Sequence, residues 1–266
     1  MRIAVVTPYF QESAEVLRRC LNSVQSQSVP VDHVLVADGH PQYWVEEQPR
    51  VSHIVLRKGA ADFGDTPRSV GFVVAMRREY DLIQFLDADN ILSTNHFDLV
   101  LRHFHGRPAA EYPDLVVAKR QLLRPDGSLL SVSIKEDDAL KHIDTSCYIL
   151  YRTAFSLGLK WALIPQQLGF MDDRVFFALM TKAKLRKIVV NETRTVGYTC
   201  WWNDIYEEAG EEPPPGCKNI ESHRAAAHIW WSELDQHSKS VIEERLGLPI
   251  FLGSPTAEAV AATADE

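Results

Sequence analysis

No CxxC pair, no HExxH spacing, no glycine-rich phosphate loop and no long apolar run occurs in this sequence, and each absence closes a class of function. The four cysteines, Cys20, Cys147, Cys200 and Cys217, stand singly. They supply neither a zinc ribbon nor a disulfide framework, and they fit reduced thiols in a cytoplasmic protein. Without GxGxxG or GxxxxGKS/T after the first strand, dinucleotide oxidoreductases and P-loop enzymes are disfavoured. The missing GxSxG elbow removes the usual serine hydrolase. No apolar stretch approaches the roughly 18 residues of a membrane-spanning helix. The opening MRIAVVTPYF has too short an apolar core for a secretory signal. A basic excess is also lacking: 28 Lys and Arg face 36 Asp and Glu, a net charge of −8. That argues against nucleic acid as a partner, but not against a nucleotide, because a bound metal can supply local positive charge.

What is present looks like an ordinary globular chain. Its 266 residues are 45% hydrophobic and 24% charged. A chain of that size buries roughly 70–75% of its unfolded surface and needs no staples. The first hundred residues alternate strand and helix signals. Ile3 to Thr7 is a short run of β-formers. Ser13 can cap a helix whose Val16, Leu17, Cys20, Leu21 and Val24 share one face. His33 to Ala37, Val51 to Leu56 and Leu82 to Leu86 predict three more strands, with a helix from Pro67 to about Arg78. Repeated βα units of this kind predict an α/β fold with a mainly parallel central sheet covered by helices on both faces.

The second half is more mixed. Leu115 to Leu123 and Ser128 to Ile134 flank a Pro125-Asp126-Gly127 turn and predict a hairpin. Asp144 to Tyr151, Arg186 to Val190 and Thr195 to Thr199 read as further strands. A helix opens at Asp172-Asp173, and another is predicted from Ile220 to about Leu246. Glu208 to Lys218 is an acidic, proline-rich loop, and the small polar tail from Ser254 is expected to fray. There is no internal repeat.

Ligands of parallel α/β sheets bind outside the carboxyl ends of strands. Here those ends carry Thr7, Asp38 and Asp87-Ala88-Asp89. Paired carboxylates at a strand end suit Mg²⁺ or Mn²⁺, although a solvated capping turn has the same composition. Asp172-Asp173 reads either as helix-dipole capping or as a general base. Arg68, near a helix start, suits a phosphate or an active-site carboxylate. His103 and His105 fall on a predicted helix, His223 and His228 on the late one, and His142 lies close to Asp144. Trp201-Trp202 and Trp230-Trp231 are sugar platforms or core and interface residues.

In order along the chain, these motifs resemble family-2 glycosyltransferases of the GT-A type. The resemblance rests on IAVVTPY with Glu12, on VLVADG ending at Gly39, on FLDADN around Asp87, on TSCYILYRTAFSLG from Thr145, and on GFMDD ending at Asp173. It covers roughly residues 1–200. Ala37, Gln11, Ser69 and Asp172 depart from the family's usual text at their positions.

The resemblance implies a hexosyltransferase-type enzyme. It would pass a sugar from a nucleotide-diphospho-sugar, a UDP-sugar first, to a saccharide or other hydroxyl acceptor with inversion, using Mn²⁺ or Mg²⁺. Thr7, Pro8, Tyr9 and Glu12 would lie at the nucleotide pocket with Asp38, which would accept a bond from the base. Arg68 and Ala88 would line the same pocket. Asp87 and Asp89 would form the DxD motif, Asp89 the more direct metal ligand. Asp173 would be the catalytic base beside Asp172.

The expected organisation is a nucleotide-sugar-binding half over 1–110 and a mixed acceptor-side half over 111–218. A helical segment follows over 219–253 and a flexible tail over 254–266. The Glu208–Lys218 loop is expected to order over the donor and so to change protease sensitivity when nucleotide binds. A nucleotidyltransferase of related fold, a two-carboxylate glycoside hydrolase and a non-catalytic nucleotide-sugar-binding protein are the competing readings. Peripheral contact with the inner face of the membrane and homodimerisation stay open.

Overall fold

The computed structural model describes residues 1–132, 143–250 and 252. His142, Ile134 and the tail from Ser254 lie outside the described residues. One eight-stranded sheet runs through the molecule in the order β3-β2-β1-β4-β7-β6-β8-β5. The strands are β1 (Ile3–Tyr9), β2 (Asp32–Asp38), β3 (Val51–Leu56), β4 (Leu82–Phe85), β5 (Ile91–Leu92), β6 (Leu115–Leu123), β7 (Tyr148–Tyr151) and β8 (Ile188–Thr199). The helices are α1 (Ala14–Gln25), α2 (Asp65–Arg77), α3 (His96–Leu101), α4 (Phe155–Gly158), α5 (Asp172–Lys182), α6 (Asn203–Ala209), α7 (Ile220–Glu233) and α8 (Gln236–Leu246).

The predicted parallel sheet is formed by the first four strands: β1 pairs in parallel with both β2 and β4, and β2 with β3. Every residue of β1 is buried, as a central strand covered on both faces requires. Ser13 caps α1 by accepting from the Val16 amide, and Leu17, Cys20, Leu21 and Val24 form the buried face. α2 approaches the sheet so closely that a Cβ on Gly71 would lie 2.5 Å from Val6 Cγ1 and 2.9 Å from Val36 Cγ2. Any larger residue there pushes the helix off β1 and β2.

β7 is antiparallel to both β4 and β6, so the second half is mixed, as its sequence predicts. Other expectations for this half are corrected. The Asp144 segment begins as a 3-10 turn, Thr145–Cys147, because the Asp144 carboxylate accepts from the Ser146 amide and curls the chain before β7. The two closing strands are one strand, β8. Shifts in its register opposite Val117, Lys119 and Arg120 place extra residues in β8 and absorb the polar Asn191–Arg194 stretch. The turn at Pro125–Gly127 forms, with Gly127 at φ 86°, and Leu123 bridges Leu129. The late helix is two, because Asp235 caps α8 by accepting from the Ser238 amide. α3 ends at Leu101, so His103 lies beyond it, with Nε2 2.6 Å from Asn191 Oδ1. All four cysteines are free thiols. Trp230 and Trp231 pack against the main core, half-buried.

The fold is cross-braced by buried His96, whose Nδ1 and Nε2 lie 2.7 Å from Thr195 Oγ1 and Gln84 Oε1. Burial lowers the His96 pKa to about 3. The unfolded chain therefore takes up a proton near pH 6.5 that the folded chain refuses, and stability declines as the pH drops through that window. The unfolding free energy of wild type minus that of His96→Gln should shrink by about 1.4 kcal/mol for each pH unit of acidification from pH 6 to 4. Denaturant titrations at three pH values test this, and a constant difference rules out a neutral buried ring.

Candidate active site

The carboxyl ends of β1, β2 and β4 open into a cleft of about 420 Å³. Of the residues singled out in the sequence, Pro8, Tyr9, Glu12, Asp38, Arg68, Asp87, Ala88, Asp89, Asp172 and Asp173 all line it. Thr7 does not. Alternation along β1 turns its side chain into the protein, where Oγ1 lies 2.8 Å from His33 Nε2. The Tyr9 hydroxyl is also engaged from behind: it accepts from the Gln42 amide at 2.8 Å and lies 2.7 Å from His53 Nε2. Only the Tyr9 ring is left to face a ligand.

Asp38 ends β2 and holds the loop after β3. Its two carboxylate oxygens accept from the amides of Ala60 (2.7 Å) and Ala61 (3.0 Å). That loop is strained, since Ala61 and Phe63 sit at φ 52° and 58°, a region that costs non-glycine residues on the order of 1 kcal/mol or more each. Gly64, at φ 92°, then starts α2 against Pro8. Arg68 follows in the first turns of α2 and lines the cleft.

Arg68 is 2% exposed and organises three carboxylates. Its Nη1 donates to Asp65 (2.8 Å) and Asp172 (3.3 Å), and its Nη2 to Asp87 (3.0 Å). The guanidinium also stacks 4.5 Å over the Trp161 ring. Burial raises the Asp65 pKa to about 7, against the pull of Arg68. Asp172 is likewise pushed well above the ordinary range, by burial and then by Asp65. Its Oδ1 accepts from the Asp173 amide at 2.5 Å. Asp172 is thus committed to Arg68 and to the backbone. Asp173, one residue on in the first turn of α5, faces both the cleft and a second cavity of about 610 Å³.

The Asp87–Asp89 turn is fixed from beneath. Ser146 Oγ accepts from the Asp87 amide (3.2 Å) and Asn90 Nδ2 (2.9 Å), and donates to Asp87 Oδ2 (3.5 Å). Thr199 Oγ1 donates to the Asp89 carbonyl at 2.5 Å, and Arg19 braces the same carbonyl at 3.3 Å. Asp89 looks into the cleft yet is packed round by protein. Its pKa is raised to about 7 by burial first, then by repulsion from Asp87 and Glu12. Asp144, at the far wall, rises to about 6 through burial, with Arg120 opposing at 2.8 Å.

Asp87 and Asp89 both line the cleft, and their carboxylates are hard oxygen donors of the kind a divalent cation takes. Among the described residues no three His, Cys, Asp or Glu side chains are grouped to hold a metal alone. Donor phosphate oxygens and water would have to complete such a shell.

Sequence reasoning missed Asp65, Ser146, Phe63 and Lys218. Asp65 and Ser146 lay inside stretches noted for other residues. Nothing local marked Phe63, whose ring packs on Gly169 so tightly that a Cβ there would lie 2.6 Å away. Trp201 and Trp202 line the cleft and are not merely core. The Glu208–Lys218 loop is tied at Glu211, which accepts from Arg124 at 2.9 and 2.6 Å, and at Lys218.

No family model matches the chain. One curated relative, the succinoglycan biosynthesis protein ExoW of Rhizobium meliloti (strain 1021), is 29% identical over 104 residues, 36% of this chain and 31% of the relative. The match thus spans about a third of that relative's length. Among solved structures, residues 1–349 of S. aureus TarS align over 92% of this chain and 70% of theirs, with TM-score 0.55 and 16% identity. The same protein with UDP-GlcNAc aligns over 92% and 72%, with TM-score 0.53 and 16% identity. A mannosyltransferase of Pyrobaculum calidifontis, in complex with GDP-Man and Mn²⁺, aligns over 99% and 73%, with TM-score 0.55 and 12% identity. Among the described residues no helix is long and apolar enough to cross a membrane. The likeness to these structures identifies the fold of the chain as that of the GT-A-type glycosyltransferases.

Proposed function

We propose that the chain is a glycosyltransferase that takes a nucleotide-diphospho-sugar, bound with Mn²⁺ or Mg²⁺, and transfers the sugar with inversion to a hydroxyl acceptor. The observation that carries this is the convergence of Asp38, Asp87, Asp89 and Asp173 on one cleft, with Arg68 locking Asp87 to the α5 start. The neighbours of known structure that hold UDP-GlcNAc or GDP-Man support a nucleotide-sugar as the donor. A UDP-sugar is the first donor to test.

The Tyr9 ring and the Asp38 region bind the nucleoside. Asp89, with Asp87, would hold the metal, which supplies charge neutralisation to the diphosphate when bound. Asp173, where the two cavities meet, accepts the acceptor's hydroxyl proton. The acceptor oxygen then bonds to the anomeric carbon as the bond from that carbon to the phosphate oxygen breaks, and its electron pair leaves on the nucleoside diphosphate. Asp172 positions Asp173 through the Asp173 amide and is anchored to Arg68, whereas Asp173 is the one of the pair that lines both cavities.

The test is thermal unfolding with UDP, GDP, dTDP or CMP, each with Mn²⁺ or with EDTA. Ligand at 100 times its dissociation constant stabilises by about 2.7 kcal/mol, which for a chain of this size is a rise of roughly 5–10 °C. One nucleotide should give that rise with Mn²⁺, and Asp89→Ala should lose it. No rise with any nucleotide would refute the donor site.

A further inference from the structure

Within the donor reading above, we propose that Lys218 is the cleft's second phosphate-binding element, pairing its ammonium with the donor diphosphate and with the departing nucleoside diphosphate. The argument begins with charge. Among the described residues the cleft is lined by seven carboxylates and only two cations, Arg68 and Lys218. Arg68 is consumed by Asp65, Asp87 and Asp172 and lies 2% exposed beneath them. Lys218 has no ion-pair partner among the described residues, and it lines the same cleft as Asp87 and Asp89.

The backbone fixes the position of this lysine. The Lys218 amide donates to the Trp201 carbonyl at 2.7 Å, and the Lys218 carbonyl accepts from the Asn203 amide at 3.1 Å, a parallel bridge beside Trp202. The side chain then reaches between two aromatic walls of the cleft. Its Nζ lies 5.1 Å from the Phe63 ring centre and 5.6 Å from that of Trp202. Rings at those distances hold a cation in place without neutralising it. An ammonium so held, beside a diphosphate site floored by carboxylates, offsets repulsion that a single divalent ion leaves uncompensated. Because it is exposed, its pairing is also sensitive to salt.

The experiment measures binding of UDP, GDP and their parent nucleosides by calorimetry, with Mn²⁺ and with EDTA, to wild type, Lys218→Met and Lys218→Arg. Methionine keeps the stem on Phe63 and Trp202 but removes the charge, and the melting temperature of each unliganded variant checks folding. Lys218→Met should weaken the preferred nucleoside diphosphate about 10- to 100-fold, the loss of one charge-assisted contact, with nucleoside affinity unchanged. Lys218→Arg should recover most of that loss. Equal diphosphate affinity in wild type and Lys218→Met overturns the proposal and leaves the donor reading standing, as does an equal loss for nucleoside and diphosphate, which marks a structural role. Wild type that binds no nucleoside diphosphate overturns both.

Discussion

Asp173→Asn should lower the rate of sugar transfer by about a thousandfold while donor affinity stays within a few-fold of wild type. General-base catalysis contributes about 10²- to 10⁴-fold, and asparagine keeps the shape but cannot accept the proton. The choice between the two neighbouring aspartates follows from their surroundings. Asp172 is buried, bound to Arg68 and to the Asp173 amide, and held well above the ordinary carboxylate range by burial and by Asp65. Asp173 lies at the junction of the two cavities, where a hydroxyl from the larger one can meet a donor in the smaller. Asp172→Asn should therefore act through stability and through the placing of α5. Single-turnover rates at saturating donor, with donor affinity measured separately, give the answer. An Asp173→Asn enzyme within tenfold of wild type, beside an inactive but folded Asp172→Asn, would assign the base to Asp172 instead.

Arg68→Met should be the most destabilising single change in the site. It leaves Asp65, Asp87 and Asp172 facing one another without their shared cation, and breaking a buried pair in this way costs about 3–5 kcal/mol. For a chain of this length the melting temperature should drop by roughly 10 °C. The loss should depend on pH in a definite direction. Without the guanidinium, the folded-state pKa values of Asp65 and Asp172 move further above their unfolded values. A group raised in this way favours the folded state at low pH and loses that contribution as pH rises through its folded pKa. The deficit relative to wild type should then be larger at pH 8 than at pH 5. Urea titrations at both values decide the matter, and a deficit that does not change with pH would mean that the lost packing on Trp161 carries the effect. Arg68→Lys should recover little of the loss, because one ammonium cannot serve three carboxylates in the guanidinium plane.

How much of this was legible beforehand depends on the range of the interactions. β1, β2 and β4 declare themselves by apolar runs and α1 by its periodicity, and these signals persist in the fold because the strands are buried along their length and α1 along one face. β5 is two residues long and exists only because β8 passes beside it, so no local pattern announces it. The break at Asp235 carries its own local signal, an aspartate three residues before the serine whose amide it caps. In the site, the carboxylates stood out as charges ending apolar strands. The commitment of Arg68 did not, because two of its partners are 19 and 104 residues away. Lys218 has no motif of its own, and only the path of the chain between Trp201 and Asn203 brings it to the cleft.

The same strand order imposes a schedule on synthesis. β3, β2, β1 and β4 are complete once Phe85 has been made, so the parallel half can pair early. The turn carrying Asp87 and Asp89 cannot then take its final form, because Thr199, which ties the Asp89 carbonyl, is 110 residues further on, and β5 waits for Gly197. At about 5–20 residues per second that is a delay of roughly 5–20 s. Until β7 has been made, within the first part of that interval, the edge of β4 that receives it is unpaired. A nascent chain stalled between β4 and β7 is therefore the form of this protein most exposed to aggregation and most in need of a chaperone.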